Sequence, residues 1–183
     1  NVYVGNGQAL VVGSQTLSFK AIVSPDNPES LTIALVIGNN TVQLPEDQIT
    51  GGSLNGILTF RSVTLDSAQN ALGRIALSLA QTFNAQHQLG MDLNGDMGDD
   101  FFTLPSPKVI SALSNNPTSN ITVGISDYSV LTTSDYQFSY DGTNYTLTRS
   151  SDNTSVSTTV APSGASPLTL DGVSVTGAAI LAN

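Results

Sequence analysis

The sequence DSAQNALGRIALSLAQTFNAQHQLG, residues 66–90, is the only stretch of the chain with a long helical pattern. Apolar residues recur in it and just before it at spacings of three and four, as on one side of an amphipathic helix. Polar residues such as Asn70 and Arg74 take the opposite side. Asp66 is a favourable N-cap residue, and Gly90 is typical of a helix end. We therefore expect a helix that starts at Asp66 and stops near Gly90.

The apolar pattern continues upstream of Asp66. At about 100° per residue, Leu54, Ile57 and Leu58 fall on the same face as the later apolar residues. Residues 53–90 are therefore either one long helix with a kink near Asp66 or two helices, and the sequence leaves both open. The predicted packing face consists of Leu54, Ile57, Leu58, Leu65, Leu72, Ile75, Leu79 and Phe83.

An apolar face of this length needs another helix or a broad sheet to cover it. The chain has no second long helical pattern. Either the flanking β-rich segments cover the predicted packing face, or its partner lies outside this sequence.

Strand and turn patterns occupy both flanks of the helical stretch. Asn6-Gly7, Asp141-Gly142 and Asp171-Gly172 each separate two short strand-like runs, as in β-hairpins. The fold class is therefore α+β: a long amphipathic helix, either alone or after a shorter one, flanked by antiparallel β-hairpin subdomains. The predicted domains are a β-rich subdomain (1–50), a helical segment of a core domain (51–90) and a β-rich outer domain (91–183). Residues 108–113 fit a helical turn or a strand, and we leave that open.

Composition excludes several classes of partner. Only 10% of the residues are charged, and the net charge is −9 with five scattered basic residues. Nucleic acids and anionic membranes both need clustered cations, so we expect neither as a partner. The chain has no cysteine and no apolar run of membrane-spanning length. A sparsely charged surface rich in Ser, Thr and Asn suits an extracellular β protein.

An acidic segment follows the helical stretch, and it has part of a calcium-loop pattern. Asp92, Asn94 and Asp96 occupy alternate positions, as oxygen ligands do in an EF-hand. Met97 and Thr103 stand where that loop needs glycine and glutamate. We therefore expect an acidic turn and no bound metal.

His87 is the only histidine of the chain, and histidine is the side chain that acts most often as a general base. No G-x-S-x-G nucleophile motif accompanies it, and no metal-ligand cluster can be assembled around it. A histidine near a helix carboxyl end also suits the helix dipole. We expect no enzymatic activity and no cofactor.

The helical stretch and its continuation resemble a known family. LGRIALSLAQTFNAQHQLGMDLNG, residues 72–95, and the passage DDFF at residues 99–102 resemble the signature of the flagellar hook-associated protein 1 family. GQALVVG at residues 7–13 resembles it too, whereas Ser67 stands where the family would have a proline. The helix-end motif carried over from the family consists of Phe83, Asn84, Gln86, His87, Gly90, Asp92, Asn94 and Gly95.

This resemblance implies a structural, non-enzymatic subunit that joins the flagellar hook to the filament outside the cell. Its implied partners are copies of itself in a ring, hook subunits, a second junction protein and an export chaperone. The family's terminal coiled-coil helices have no counterpart here, so the chain resembles an internal fragment. A secreted β-rich adhesin or binding module is the main alternative, and a secreted hydrolase is another. Neither alternative explains the helix-end motif.

Overall fold

The structure, a computed structural model, describes residues 1–4, 7–115 and 120–177. It has the α+β fold expected from the sequence: a long helical run with antiparallel sheets on both sides of it in the chain. The chain forms two compact units. Unit 1 comprises Asn1–Leu65 and Ile110–Asn115, and unit 2 comprises Asp66–Val109 and Asn116–Asn183. The division into residues 1–50, 51–90 and 91–183 stays a prediction.

Unit 1 contains two three-stranded antiparallel sheets among its described residues. The strands, in spatial order, are β1 (Val2–Val4), β2 (Gln8–Val12) and β3 (Gln15–Thr16) in one sheet, and β4 (Ser18–Val23), β5 (Leu31–Ile37) and β6 (Asn40–Gln43) in the other. The central strand β5 is a nearly continuous apolar run, and Ala34 and Leu35 from it are buried with Leu44 and Ile49. A central strand buried on both faces needs this composition.

The helical run begins at Gly52 and ends at His87 without a break, which resolves the open choice between one helix and two. It consists of α1 (Gly52–Thr59), a π-helical segment (Phe60–Leu65) and α2 (Asp66–His87). The expected N-cap role of Asp66 is wrong, because helical residues precede it. The extension of the apolar face to Leu54 assumed a constant step per residue, which a π-helix does not keep.

The π-helical segment is held within unit 1 by Arg61. One guanidinium nitrogen, Nη2, donates to both carboxylate oxygens of Glu46, at 2.8 and 2.9 Å. The other, Nη1, donates to the carbonyl oxygen of Leu31 at 3.3 Å. Arg61 therefore ties this segment to the start of β5 and to the 3-10 turn Glu46–Gln48.

Among its described residues, unit 2 contains α2 and two further three-stranded antiparallel sheets. The strands, in spatial order, are β8 (Tyr136–Tyr140), β9 (Tyr145–Arg149) and β10 (Ser155–Thr158) in one sheet, and β7 (Thr122–Ile125), β12 (Val173–Thr176) and β11 (Leu168–Leu170) in the other. Their common core contains Tyr145, Leu147, Leu168 and Val175, so it draws on both sheets. The hairpins predicted at Asp141-Gly142 and Asp171-Gly172 are confirmed. Residues 108–113 are neither helix nor strand.

Candidate functional site

The end of α2 is closed by a buried asparagine. Asn84 is 2% exposed, and its side-chain nitrogen Nδ2 donates to the carbonyl oxygen of Phe102 at 2.7 Å. The backbone N–H of Phe102 donates to the Asn84 oxygen Oδ1 at 2.8 Å. The carboxamide thus pairs with the Phe102 backbone much as a neighbouring strand would. These two hydrogen bonds hold Phe102 against α2, although it lies 18 residues after Asn84 in the sequence.

Aromatic rings pack around this pair. The ring centroid of Phe83 lies 5.1 Å from that of Phe101 and 5.2 Å from that of Phe102. The His87 ring lies 5.8 Å from that of Phe101. Tilted and edge-on contacts at these distances are favourable for aromatic rings. The acidic-to-aromatic passage of the sequence therefore packs against the helix end.

His87 is a structural contact in this arrangement. Its Nδ1 lies 2.7 Å from the carbonyl oxygen of Asp99. Because a carbonyl oxygen only accepts, Nδ1 carries the hydrogen. A Cβ at residue 98 would overlap the carbonyl oxygen of His87, so Gly98 is the residue that permits this close approach.

Gly90 does not end the helix as expected. α2 stops at His87, and Gly90 lacks the positive φ of a left-handed cap. Its N–H donates to the carbonyl oxygen of His87 at 3.0 Å, and its own carbonyl accepts from Gly98 at 2.9 Å. Gly90 is therefore the first residue of the loop that folds back onto the helix end.

Asp92 organises the tip of that loop. Its Oδ1 accepts from the backbone N–H groups of Asn94 and Asp96 at 2.8 and 2.9 Å. These donors, Asp96 first and then Asn94, hold the pKa of the Asp92 carboxyl below its ordinary value. Gly95 supplies the positive φ of the turn at +91°. Within the described residues, no group of three or more His, Cys, Asp or Glu side chains could hold a metal ion.

The helix-end motif is thus a folded element, in which most of its members meet. Phe83, Asn84 and His87 contact residues 99–102, while Asp92, Asn94 and Gly95 form the turn. Gln86 is exposed and contributes its carbonyl oxygen to Leu89 at 3.2 Å. What this element does in the intact protein stays a prediction.

The predicted packing face is mostly open to solvent. In unit 2, Leu79 is 67% exposed, and Leu72, Ile75 and Phe83 are also exposed. In unit 1, Leu54, Ile57 and Leu65 are exposed and Leu58 is half-buried. The predicted packing face could have been covered by the flanking β-rich segments or by a partner outside this sequence. Within the described residues, the β-rich segments do not bury it.

The opposite side of α2 makes the contacts instead, which sequence reasoning missed. Asn70 Nδ2 donates to the carbonyl oxygen of Thr133 at 3.1 Å and to Asp135 Oδ1 at 2.9 Å. Arg74 Nη1 donates to the carbonyl oxygen of Leu131 at 3.0 Å. No sequence pattern indicates which distant backbone carbonyl will accept a hydrogen bond. These contacts could therefore not be predicted from the sequence. Within unit 2, the polar side of α2 faces the protein.

A second polar cluster, also missed, joins the two sheets of unit 2. Arg149 binds Asp152 through Nε and Nη2 at 2.9 and 2.6 Å, and Asp171 through Nη1 at 2.8 Å. The hydroxyl of Tyr136 donates to the same oxygen of Asp171 at 2.9 Å. Hydrogen bonds to Asp152 and then Asp171 raise the pKa of Arg149, and Arg149 lowers that of Asp152. Partial burial is the first cause of the raised pKa of Tyr136.

Comparison with known proteins places the chain in a family. The family model described as "Flagellar hook-associated protein FlgK helical domain" matches residues 1–102. The one described as "Flagellar hook-associated protein 1, D2-like domain" matches residues 110–182. No helix in the described part of the chain is both long and apolar enough to span a bilayer.

Individual relatives agree with these matches. The chain is 38% identical to flagellar hook-associated protein 1 of Escherichia coli K12 over 96% of its own length and 32% of the relative's. It is 39% identical to the protein of that name from Salmonella typhimurium, with the same coverage. The solved structure of the flagellar hook junction protein FlgK from Burkholderia pseudomallei matches with a TM-score of 0.82 and 36% identity, over 96% of this chain and 33% of that one. The chain spans about a third of the length of these relatives, and it belongs to the flagellar hook-associated protein 1 (FlgK) family.

Proposed function

We propose that this chain is part of a structural subunit that joins the flagellar hook to the filament outside the cell. Its relatives are named as hook-associated and hook junction proteins. The observation that carries the proposal is the exposed apolar side of α2, with Leu72, Ile75 and Leu79 open to solvent. A soluble monomer rarely leaves an apolar patch of several hundred Å² uncovered, so such a face is normally a contact surface.

In the intact protein, helices from the rest of the chain cover this face. The relatives are about three times as long as this chain, so most of each one lies outside the matched region. Helices that pack along α2 at shallow angles would bury the predicted packing face as in a bundle. The β sheets of units 1 and 2 are then free to contact neighbouring copies, hook subunits and a second junction protein. An export chaperone would bind a segment beyond this chain.

We further propose that the subunit has no catalytic activity. His87 contacts a backbone carbonyl, and its neighbouring rings are phenylalanines. Within the described residues, the hydrogen-bond partner of Nδ1 is that carbonyl and not the hydroxyl or carboxylate that a nucleophile–base pair would need. The loop oxygens of Asp92 likewise accept from the turn.

The experiment compares this 183-residue chain with a chain extended by the natural flanking sequences on both sides. The extended chain should melt at a higher temperature and bind less of a hydrophobic dye per molecule. It should also restore attached filaments in a strain that lacks the protein. An extended chain that gains no stability would contradict the covering helices. A strain that still sheds its filaments would contradict the junction function itself.

A further inference from the structure

The chain contains the dipeptide Asn-Gly at Asn6, Asn55 and Asn94. Asn6 lies outside the described residues, Asn55 lies in α1, and Asn94 lies in the exposed loop at the end of α2. Asn-Gly is chemically labile because glycine has no side chain to shield its own backbone nitrogen from the preceding carboxamide. Because the same dipeptide occurs in a helix and in an exposed turn of one chain, the reaction rates at Asn55 and Asn94 can be compared directly.

The characteristic reaction of Asn-Gly is deamidation, which proceeds through a five-membered ring. The backbone nitrogen of Gly95 loses its proton to a base in solution and attacks Cγ of Asn94. The bond between Cγ and Nδ2 breaks, and Nδ2 leaves as ammonia with a proton from water. Water then opens the five-membered imide at either carbonyl, which gives aspartate or isoaspartate at position 94. The net change is uptake of one water and release of one ammonia.

The loop ties both reacting groups to Asp92. The N–H of Gly95 donates to the Asp92 carbonyl oxygen at 3.2 Å, so the nucleophile is occupied. The departing Nδ2 of Asn94 donates to Asp92 Oδ2 at 3.2 Å, and the Asn94 N–H donates to Oδ1 at 2.8 Å. Attack requires the Asn94 side chain to rotate and the Gly95 N–H to be released, which breaks these bonds. The adjacent carboxylate also opposes negative charge on the Gly95 nitrogen.

We propose that Asn94 is a latent deamidation site and that Asp92 holds it closed. Opening of the turn, with loss of the Asp92 contacts, is the event that exposes it to reaction. Conversion would replace the Nδ2 donor by a carboxylate beside Asp92, and the isoaspartate form would also lengthen the backbone. Either product removes hydrogen bonds that shape the tip of the loop. Because the ammonia is lost to the solvent, the reaction does not reverse when the turn closes.

The test incubates the native 183-residue chain in mildly alkaline buffer and follows Asn94 and Asn55 by mass spectrometry of proteolytic peptides. The same chain in denaturant gives the unprotected rate. Native Asn94 should convert at least about tenfold more slowly than unfolded Asn94, the factor that about one net hydrogen bond supplies. Asp92→Ala should raise the native rate at Asn94 by about tenfold for the same reason and leave Asn55 unchanged.

Asp92→Asn is the matched control, because it keeps an oxygen for the Asn94 and Asp96 N–H groups but loses the charge and the second acceptor. It should convert at a rate between those of the parent and Asp92→Ala. A native rate at Asn94 equal to the unfolded rate overturns the proposal without any variant. An unchanged rate in Asp92→Ala overturns it as well. Faster conversion at Asn55 in that variant would show general unfolding and would also count against a local role for Asp92.

Discussion

Asn84 and Phe102 are joined by two hydrogen bonds, of 2.7 and 2.8 Å, which link the side-chain amide of Asn84 to the backbone carbonyl and N–H of Phe102. A carboxamide offers a donor and an acceptor side by side in one plane, and asparagine is the shorter of the two residues that carry one. A carboxylate at this position would set an oxygen against the Phe102 carbonyl. The identity of residue 84 is thus fixed by the return of the chain, a requirement that no helical periodicity could reveal.

Asn84→Ala should therefore destabilise unit 2 by about 2–4 kcal/mol, because it leaves the Phe102 N–H and carbonyl without these partners. Gln86→Ala is the matched control, since it also shortens a polar residue of the helix-end motif but on an exposed side chain. It should change the stability by less than about 0.5 kcal/mol. Denaturant melts of both variants measure the difference. Equal melts for the two would show that the paired hydrogen bonds do not stabilise the fold.

Leu79→Ala should hardly change the stability of this chain, by less than about 0.5 kcal/mol, because Leu79 is 67% exposed. Leu147→Ala removes the same side chain from the core of unit 2, where it is 2% exposed, and should cost about 2–5 kcal/mol. In a chain extended by the flanking sequences, Leu79→Ala should become costly as well. A Leu79→Ala variant of the extended chain that melts like its parent would show that the added sequences do not cover this face.

Local signals were sufficient for much of the fold. The hairpins at Asp141-Gly142 and Asp171-Gly172 were predictable because turn residues and strand alternation lie within ten residues of each other. The existence of the helix followed from its apolar period. The π-helical segment Phe60–Leu65 was not predictable in this way, since a search at one fixed period assumes regular α-helix throughout.

The orientation of α2 could not be read from its amphipathicity. The apolar side of α2 was predicted to be buried. Within unit 2, however, Asn70 and Arg74 on the polar side donate hydrogen bonds to backbone carbonyls, and the apolar residues remain exposed. Periodicity identifies a face that needs a partner, but it does not say whether the partner is in the same segment. Long-range polar contacts such as Arg149 with Asp171 leave no local pattern either.

Acid should weaken unit 2 through Asp152, whose carboxyl pKa Arg149 holds below its ordinary value of 3.8. A lowered pKa means that the native state favours the charged form, so the contribution is complete above the ordinary value and is lost as the pH falls below it. Asp152→Asn removes the titrating group while keeping its size. Denaturant melts at about pH 6 and about pH 3 should show a larger loss for the parent than for the variant. A variant that loses as much stability as the parent would exclude Asp152 as a source of the acid sensitivity.

Two glycines with positive φ allow the cost of backbone strain to be measured apart from the cost of steric overlap. Gly172 has a φ of +78°, and a Cβ added there would overlap the carbonyl oxygen of Asp127. The neighbouring residue Ser126 donates its backbone N–H to the Gly172 carbonyl at 2.7 Å. Gly142 has a φ of +95° in the other predicted hairpin, and an added Cβ would meet nothing within 4 Å. Gly142→Ala should therefore cost only the strain of a left-handed alanine, about 1–2 kcal/mol.

Gly172→Ala should cost more than about 3 kcal/mol, because the strain of the same conformation is joined by displacement of the Asp127 backbone and loss of the Ser126 hydrogen bond. Thermal and denaturant melts of the two variants, made in the same unit of the same chain, give the difference directly. Amide exchange of Ser126 provides a local readout and should become faster in Gly172→Ala alone. If both variants melt alike and the Ser126 amide stays protected in each, then the backbone accommodates the added Cβ without breaking the Ser126 hydrogen bond to Gly172. The close approach at Gly172 would then not be a constraint on the fold.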